Sequence, residues 1–418
     1  MQPKNAFSKD IVAGIIGYLT TVYIVVVNGT ILSEAGISLE AGMTATILAS
    51  FAGTMLMGFF GRLPLILIPG MGINALFAFS IIGNNGFSFH EGLAVVCLAG
   101  LLFMLTAFTK LSAILKEAIP DSLKHGITIG LGFFLILIGV ENSGIVTSGE
   151  QTVITIGDFT SPSVIAGLIT LFIAIYLFVK GVPANFLITM IIGTIIAMVL
   201  KVPTDGASSV SFRFDELLFI PSFTAISNIS FWLSVFTLTL ILIFENMGTL
   251  SSQLDMLKSP ESYQKSYRIT ATSSLLSGLF GTSPTISSAE NAAVIASGGK
   301  TGKAAITAGI LFLATVIFIP WISIIPATAI SPILIIVGFL MAQNMKHLPW
   351  NQFSECIPAL LIIVMIPFTY SIGDGMAFGF IAYPIVKLAL GQRKEISKPL
   401  LLISTLFFIE FVLKIIGI

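Results

Sequence analysis

The chain has 418 residues, of which 56% are hydrophobic and only 10% charged, and its formal net charge is zero. A soluble globular domain carries about 25% charged residues, so this composition excludes one, and the mean hydropathy of +1.02 agrees. With no excess positive charge there is no basic field to attract nucleic acid.

A membrane span needs about 20 mostly apolar residues. In chain order such stretches fall near 10–28, 41–59, 64–83, 91–109, 124–140, 162–179, 184–200, 228–250, 268–283, 285–297, 303–320, 325–344, 355–370, 372–390 and 399–416. Residues 1–10 are short and polar, so 11–27 is expected to remain in the membrane and not to act as a cleaved leader. Two stretches are broken. The third holds Pro69, Gly70 and Gly72, and the tenth is only about 13 residues long, behind Gly281-Thr-Ser-Pro284. These residues remove or weaken helical hydrogen bonding, which predicts non-helical backbone near 70–75 and 281–288. Such backbone is tolerated at membrane depth only where protein or a polar cavity satisfies it, so the two breaks are expected to face one cavity.

Charge sets the expected orientation. With the N-terminus in the cytoplasm and the first 14 stretches alternating, 17 lysines and arginines lie inside, and only Lys201 and Arg213 lie outside. Cationic loops collect on the cytoplasmic side, so 110–124 and 251–267 are expected there. The outer loops carry Glu34, Glu40, Glu141, Glu150 and Asp158 instead. The last stretch, with Glu410 and Lys414, reads equally as an extra span or an interfacial helix. Cys97 and Cys356 sit far apart in apolar surroundings and read as two buried thiols. His90, His125 and His347 stand at span ends, and no H-E-x-x-H motif is present. No metal, cofactor or enzymatic activity is therefore expected.

The halves echo each other. Asn28-Gly-Thr-Ile-Leu32 closes the first span and Met247-Gly-Thr-Leu250 the eighth, with the Gly-Thr pairs 219 residues apart. Asn74-Ala75 follows the third-span glycines and Asn291-Ala292 follows the tenth-span break, 217 residues later. An odd number of spans between copies gives them opposite topology. Inverted repeats with paired broken helices are a transporter architecture, with the site near the midplane between half-helices. The repeats are expected over 1–200 and 228–398, with an outer linker at 201–227 and an additional hydrophobic helix at 399–418.

Two acids fall within spans, Glu245 in Leu240-Ile-Leu-Ile-Phe-Glu-Asn-Met247 and Glu290 in Thr285-Ile-Ser-Ser-Ala-Glu-Asn-Ala-Ala293. A carboxylate at bilayer depth costs roughly 3 kcal/mol on insertion scales, and such groups usually face a cavity and bind substrate or ions. A carboxylate accepts hydrogen bonds from the N–H groups of a planar heterocycle. Glu290, near a half-helix start, is favoured as an ionised substrate acceptor. Glu245 has no counter-charge nearby in sequence and is the proton-carrier candidate. Asn28, Asn74, Asn246 and Asn291 can donate and accept, toward a base edge or a neighbouring helix. Thr282, Ser283, Thr285, Ser287 and Ser288 either line a cavity or satisfy freed backbone groups. Asp374 fits a loop-end role.

The motifs then resemble one family. Tyr18-Leu-Thr-Thr-Val-Tyr-Ile-Val-Val-Val-Asn28, Leu67-Ile-Pro-Gly-Met-Gly-Ile-Asn-Ala-Leu-Phe-Ala78, Phe244-Glu-Asn-Met-Gly-Thr-Leu250, Gly281-Thr-Ser-Pro-Thr-Ile-Ser-Ser-Ala-Glu290 with Gly298-Gly-Lys-Thr-Gly302, and Ile366-Pro-Phe-Thr-Tyr-Ser-Ile-Gly-Asp-Gly375 occur in order along nearly the whole chain. They resemble the nucleobase:cation symporter-2 superfamily, in its AzgA-like hypoxanthine/guanine/adenine permease branch. The resemblance implies an all-α polytopic membrane protein with a seven-plus-seven inverted repeat and discontinuous helices 3 and 10. It implies a core of spans 1–4 and 8–11, a gate of spans 5–7 and 12–14, and a location in the plasma membrane. Glu245 and Glu290 become the substrate and proton residues, and the backbone of Gly72, Ile73, Asn74 and Ala75 contacts the base. The sequence departs from the branch inside the site. Glu245 replaces the usual aspartate, Asn246 and Met247 are bulkier than its neighbours, and Ser288, Ala289 and Asn291 replace Tyr, Ile and Ser.

The expected function is proton-coupled uptake of a purine base such as hypoxanthine, guanine or adenine, with the lipid bilayer and the proton as the other partners. A homodimer is compatible with it. The alternatives are transport of uracil, xanthine or another flat polar solute, or an anion exchanger or channel. Two midplane acids argue against the anion.

Overall fold

Backbone in a hydrocarbon layer must satisfy its own polar groups, and this chain does so with helices almost throughout. The computed structural model describes residues 4–149, 152, 154–203, 219–322 and 324–416. Most of the expected 201–227 linker lies outside the described residues, as do Glu150 and Arg213. The first half runs α1 (Lys4–Thr21), α2 (Tyr23–Glu34), α3 (Leu39–Leu56), β1 (Leu67–Pro69), α4 (Met71–Ala75), α5 (Phe89–Phe108), α6 (Leu111–Ala118), α7 (Asp121–Asn142), β2 (Val146–Thr147), β3 (Thr155–Ile156), α8 (Pro162–Val179) and α9 (Asn185–Val199). The second runs α10 (Ile229–Met256), α11 (Tyr263–Leu279), β4 (Thr285–Ser287), α12 (Asn291–Ala296), α13 (Gly302–Ala314), α14 (Ile319–Ile322), α15 (Ala327–Ala342), α16 (Phe353–Thr369), α17 (Ile372–Ala389) and α18 (Lys398–Ile416).

Among the described residues, nine helices are long and apolar enough to cross a membrane, and Met71–Asn84, Asn185–Val199 and Phe353–Thr369 are shorter apolar helices. With α11 and the β4–α12 segment they fill the first 14 expected stretches. Local chemistry sets several boundaries. Ser88 and Glu91 form a capping box at the start of α5. Pro162 opens α8, where its missing N–H costs nothing. The last stretch is a 19-residue helix, about 28 Å long and so close to the hydrocarbon thickness. It lies against α17, where Phe407 packs on Phe380 and on Phe236 of α10.

The breaks fall where the prolines and glycines suggested, with one correction. Residues 71–75 are helical, and the non-helical stretch of the third span lies earlier, ending at Gly70. Pro69 and Gly70 end an extended segment, and Gly70 serves as the N-cap. Gly72 is a packing position, since a Cβ there would lie 3.1 Å from Leu131 and 3.3 Å from Met341. In the tenth span, Gly281 takes a left-handed φ of 82° that turns the chain out of α11 and into extended backbone.

The two extended segments pair with each other. β1 and β4 run antiparallel, with Leu67 opposite Ser287, Ile68 opposite Ile286 and Pro69 opposite Thr285. The central pair, Ile68 and Ile286, is 218 residues apart, midway between the two offsets found in the motifs. Helix packing is symmetric in the same sense. α1 lies on α13 as α10 lies on α5, and α3 lies on α13 as α11 lies on α5. In a second group, α8 lies on α15 as α16 lies on α7, and α8 pairs with α9 as α16 pairs with α17. This arrangement is consistent with an inverted repeat. In the second group α7 and α15 cross at Gly132 and Gly338. A Cβ on either would come within 2.5 Å of the other's carbonyl oxygen, so small residues set that approach. Lys387 is buried there and bridges Glu355 at 2.8 Å and Glu395 at 2.6 Å, which ties α16 and α17 to the lead-in of α18.

Candidate functional site

The strand pair is fully buried, and side chains from three neighbouring helices satisfy it. Thr54 of α3 exchanges two 3.1 Å hydrogen bonds with the backbone of Leu67. Ser274 of α11 donates to the Thr285 carbonyl at 2.6 Å, and Ser277 accepts from its N–H at 3.1 Å. Gln253 of α10 donates to the Ser288 carbonyl at 2.7 Å and accepts from the Ser287 hydroxyl at 2.6 Å. The polar run at 282–288 therefore serves the freed backbone in large part. Ser283 donates to Asn74, and Ser273 bonds Thr285 at 2.5 Å.

The four asparagines singled out from sequence all gather at this crossing. Asn291 accepts from the Ile66 N–H at 2.8 Å and donates to its carbonyl at 3.0 Å. Asn28 donates to Thr46 at 2.8 Å and to Thr282 at 2.9 Å. Asn246 donates to Leu242 of its own helix at 2.9 Å and accepts from the Ser287 N–H at 3.4 Å. Asn74 accepts from Ser283. All four are fully buried, and each makes hydrogen bonds within this framework, although Asn28 Oδ1 has no partner among the described residues. Gly72, Ile73 and Ala75 are buried in the first turns after Gly70.

The two carboxylates differ from the asparagines. Glu290 is the N-cap of α12 and is half-buried. Its Oε1 accepts from the Tyr23 hydroxyl at 2.6 Å and its Oε2 from the Ser288 hydroxyl. Glu245 is half-buried on α10, beside the residue that meets β4, and its Oε2 is shielded from solvent without a hydrogen-bond partner. A Cβ on Gly248, one turn further along α10, would meet nothing within 4 Å. No lysine or arginine pairs with either acid among the described residues. Tyr23 and Gln253 were not singled out from the sequence. Tyr23 stands 267 residues from its partner in an apolar run, and no spacing rule links them.

Two small cavities lie elsewhere, and neither is lined by Glu245 or Glu290. One, about 20 Å³, is bordered by Ser80, Asn85, Ser234, Thr237, Ser371 and Glu410. The other, about 10 Å³, is bordered by Thr30, Glu34, Phe79, Asn142 and Ser331. Each has room for about one water, so neither admits a flat heterocycle in this conformation. Beside them the helix that follows β1 is joined to the turn between α16 and α17. Asn84 donates to the Tyr370 carbonyl at 2.7 Å, and the Ile372 N–H donates to Ser80 at 3.0 Å.

The sequence matches the family model described as Permease family over residues 8–378. It belongs to that family. It is 39% identical over 382 residues to the nucleobase transporter PlAzg2 of Paenibacillus larvae, covering 90% of this chain and 77% of that protein. It is 36% identical over 423 residues to the guanine/hypoxanthine permease PbuO of Bacillus subtilis, covering 98% of each. With adenine permease AdeQ of Escherichia coli the identity is 31%, over 99% of this chain and 94% of that one. The permease family member thus falls in the hypoxanthine/guanine/adenine branch that its motifs resemble. It is a multi-pass membrane transport protein and not an enzyme. Its fold is similar to the transmembrane domain of the cyanobacterial bicarbonate transporter BicA, with a TM-score of 0.69 at 17% identity over 91% of this chain and 98% of that one. It is also similar to the inward-facing murine Slc26a9 anion transporter, with a TM-score of 0.69 at 16% identity over 94% and 70%.

Proposed function

We propose that this permease carries a purine nucleobase, of the hypoxanthine, guanine or adenine type, across the plasma membrane together with a proton, by alternating access. The observation that carries the reading is the pair of uncompensated carboxylates beside the crossed breaks. Glu290 is held by two hydroxyl donors and still has acceptor capacity for substrate N–H groups, since a carboxylate offers about four lone-pair sites. Glu245, with a shielded and unpartnered oxygen, is the group that carries the proton. A neutral base needs a partner for each polar group it buries, or its desolvation cost is not recovered. An anion would meet two acidic side chains with no paired cation among the described residues, which argues against carrying the substrates of the anion transporters that share the fold.

In this reading the first packing group, α1 to α5 with α10 to α13, is a substrate-carrying core. The second, α7 to α9 with α15 to α17, is a gate. The N-terminus is cytoplasmic, which puts the Asn84–Tyr370 and Ser80–Ile372 bonds at the outer face. The exposed Ala289 and the open space at Gly248 then lie toward the cytoplasmic end of α10. The arrangement is closed outside and open inside. Uptake of labelled hypoxanthine into proteoliposomes, competed by guanine, adenine, xanthine and uracil under imposed pH gradients, tests the proposal. Competition by the three purines of the branch and acceleration by an inward proton gradient are expected. Competition by uracil alone, or indifference to the gradient, would overturn the substrate or the coupling respectively.

A further inference from the structure

We propose that Tyr23 is the positioning residue for the Glu290 carboxylate, acting through its hydroxyl, while its ring joins that acceptor to α9. The inference rests on reading Glu290 as the substrate acceptor.

Tyr23 is 1% exposed at the start of α2. A buried phenol seeks a hydrogen-bond partner, and this one donates to Glu290 Oε1 at 2.6 Å, a length typical of a charge-assisted bond. Ser288 donates to the other oxygen. The two donors come from separate elements, one on α2 and one in the turn before α12. A carboxylate gripped at both oxygens cannot rotate freely about its side-chain bonds. The remaining lone pair on each oxygen then has a set direction, and a base with N–H donors meets an acceptor already in place. Ordering a flexible side chain at binding weakens affinity, and fixing it beforehand removes that cost. The grip depends on the short Ser288 and on Tyr23 from across the site.

The ring has a second neighbour. Phe186 of α9 meets it edge to face, with centroids 4.8 Å apart and planes at 61°. α9 belongs to the other packing group. One side chain therefore touches both the acceptor and the helix group against which it is proposed to move, and its two contacts can be separated by substitution.

Tyr23→Phe removes only the hydroxyl. The expected result is a rise of about tenfold or more in the dissociation constants of guanine, hypoxanthine and adenine, the scale of one hydrogen bond to a charged group. The maximal exchange rate should stay within about twofold. Tyr23→Leu removes the ring as well and should also change the exchange rate, which a purely local packing defect in the phenylalanine variant would not separate. A readout independent of any base comes from infrared spectroscopy. The difference between wild type and Glu290→Gln isolates the Glu290 carboxyl bands, and these should shift in the Tyr23→Phe background. Unchanged bands overturn the proposal, as does wild-type affinity in Tyr23→Phe. If no purine binds wild type, the proposed function fails, while the infrared comparison still decides the role of Tyr23.

Discussion

Glu245 and Glu290 are the same side chain in two different settings, and the settings separate their expected behaviour. Glu290 already accepts two hydroxyl hydrogens, so both of its oxygens are held before any ligand arrives. Glutamine there would keep the shape, lose the charge, and present an NH₂ to one of those donors. Glu290→Gln should weaken equilibrium binding of labelled purines about a hundredfold or more, since at least two charge-assisted bonds are affected. Retained affinity would displace Glu290 from the site. Among the described residues Glu245 has an orphaned oxygen and no ion pair. Glu245→Gln should leave purine exchange at equal pH on both sides within about tenfold while abolishing accumulation driven by a proton gradient. Persistent gradient-driven accumulation would refute the coupling role. Both acids were legible in the sequence because a charge in an apolar span stands out by its cost. Tyr23 was not, because an aromatic residue in such a run carries no local sign of a partner in the other half. The asparagines show a third case. Their positions near the breaks were legible, but whether an amide meets backbone or ligand depends on distances across elements; each makes at least one framework hydrogen bond, while Asn28 Oδ1 is left without a partner among the described residues.

At the scale of the element, the breaks were readable from Pro69, Gly70 and Pro284, but their form was not. Three-residue strands are too short to leave a periodic pattern; β1 lies in apolar sequence that reads as span, and β4 in a polar run with no strand alternation of its own. The helix resumes at Met71 despite Gly72 because one glycine weakens a helix by only about 1 kcal/mol, which close packing against Leu131 and Met341 outweighs. Thr54 supports β1 through both backbone groups of Leu67. Thr54→Val should therefore lower stability by about 1–3 kcal/mol, the cost of leaving buried polar groups unpaired, seen as a lower unfolding midpoint in detergent. An unchanged midpoint would mean that Leu67 is satisfied by other means. The helix beyond α4 takes π geometry from Leu76 to Asn84, a form that often marks functional positions. It presents Ser80 and Asn84 to the turn between α16 and α17. Ser80→Ala with Asn84→Ala removes both bonds, together about 2 kcal/mol, or about thirtyfold in a two-state balance. The double variant should raise labelling of a cysteine placed at Thr30, beside the outer cavity, by a reagent that cannot cross the membrane. Unaltered labelling would show that these bonds do not hold the outer side closed.

At the scale of the whole molecule, orientation follows from charge and is testable apart from any ligand. The asymmetry of 17 basic residues against two is a property of the entire chain, and the helix order of the structure preserves the alternation on which it rests. Lys258 ends the turn after α10, the eighth crossing, and Glu40 opens α3, the second, so alternation puts these two on opposite sides. Basic residues next to a span resist translocation, so the side that holds Lys258 should be cytoplasmic. The native thiols offer little background, since Cys97 and Cys356 are both buried and unpaired. Replacing them by serine and alanine respectively, then introducing Lys258→Cys or Glu40→Cys singly, gives two reporters. In sealed cells an impermeant maleimide should label the Glu40 reporter and spare the Lys258 reporter, and lysis should expose both. The reverse pattern would invert the membrane protein and place the Asn84–Tyr370 and Ser80–Ile372 bonds at the cytoplasmic face. Glu245, Glu290 and Tyr23 would keep their geometry, but the conformation described here would open to the outside, and the proton gradient would have to act in the opposite direction on the same carboxylates.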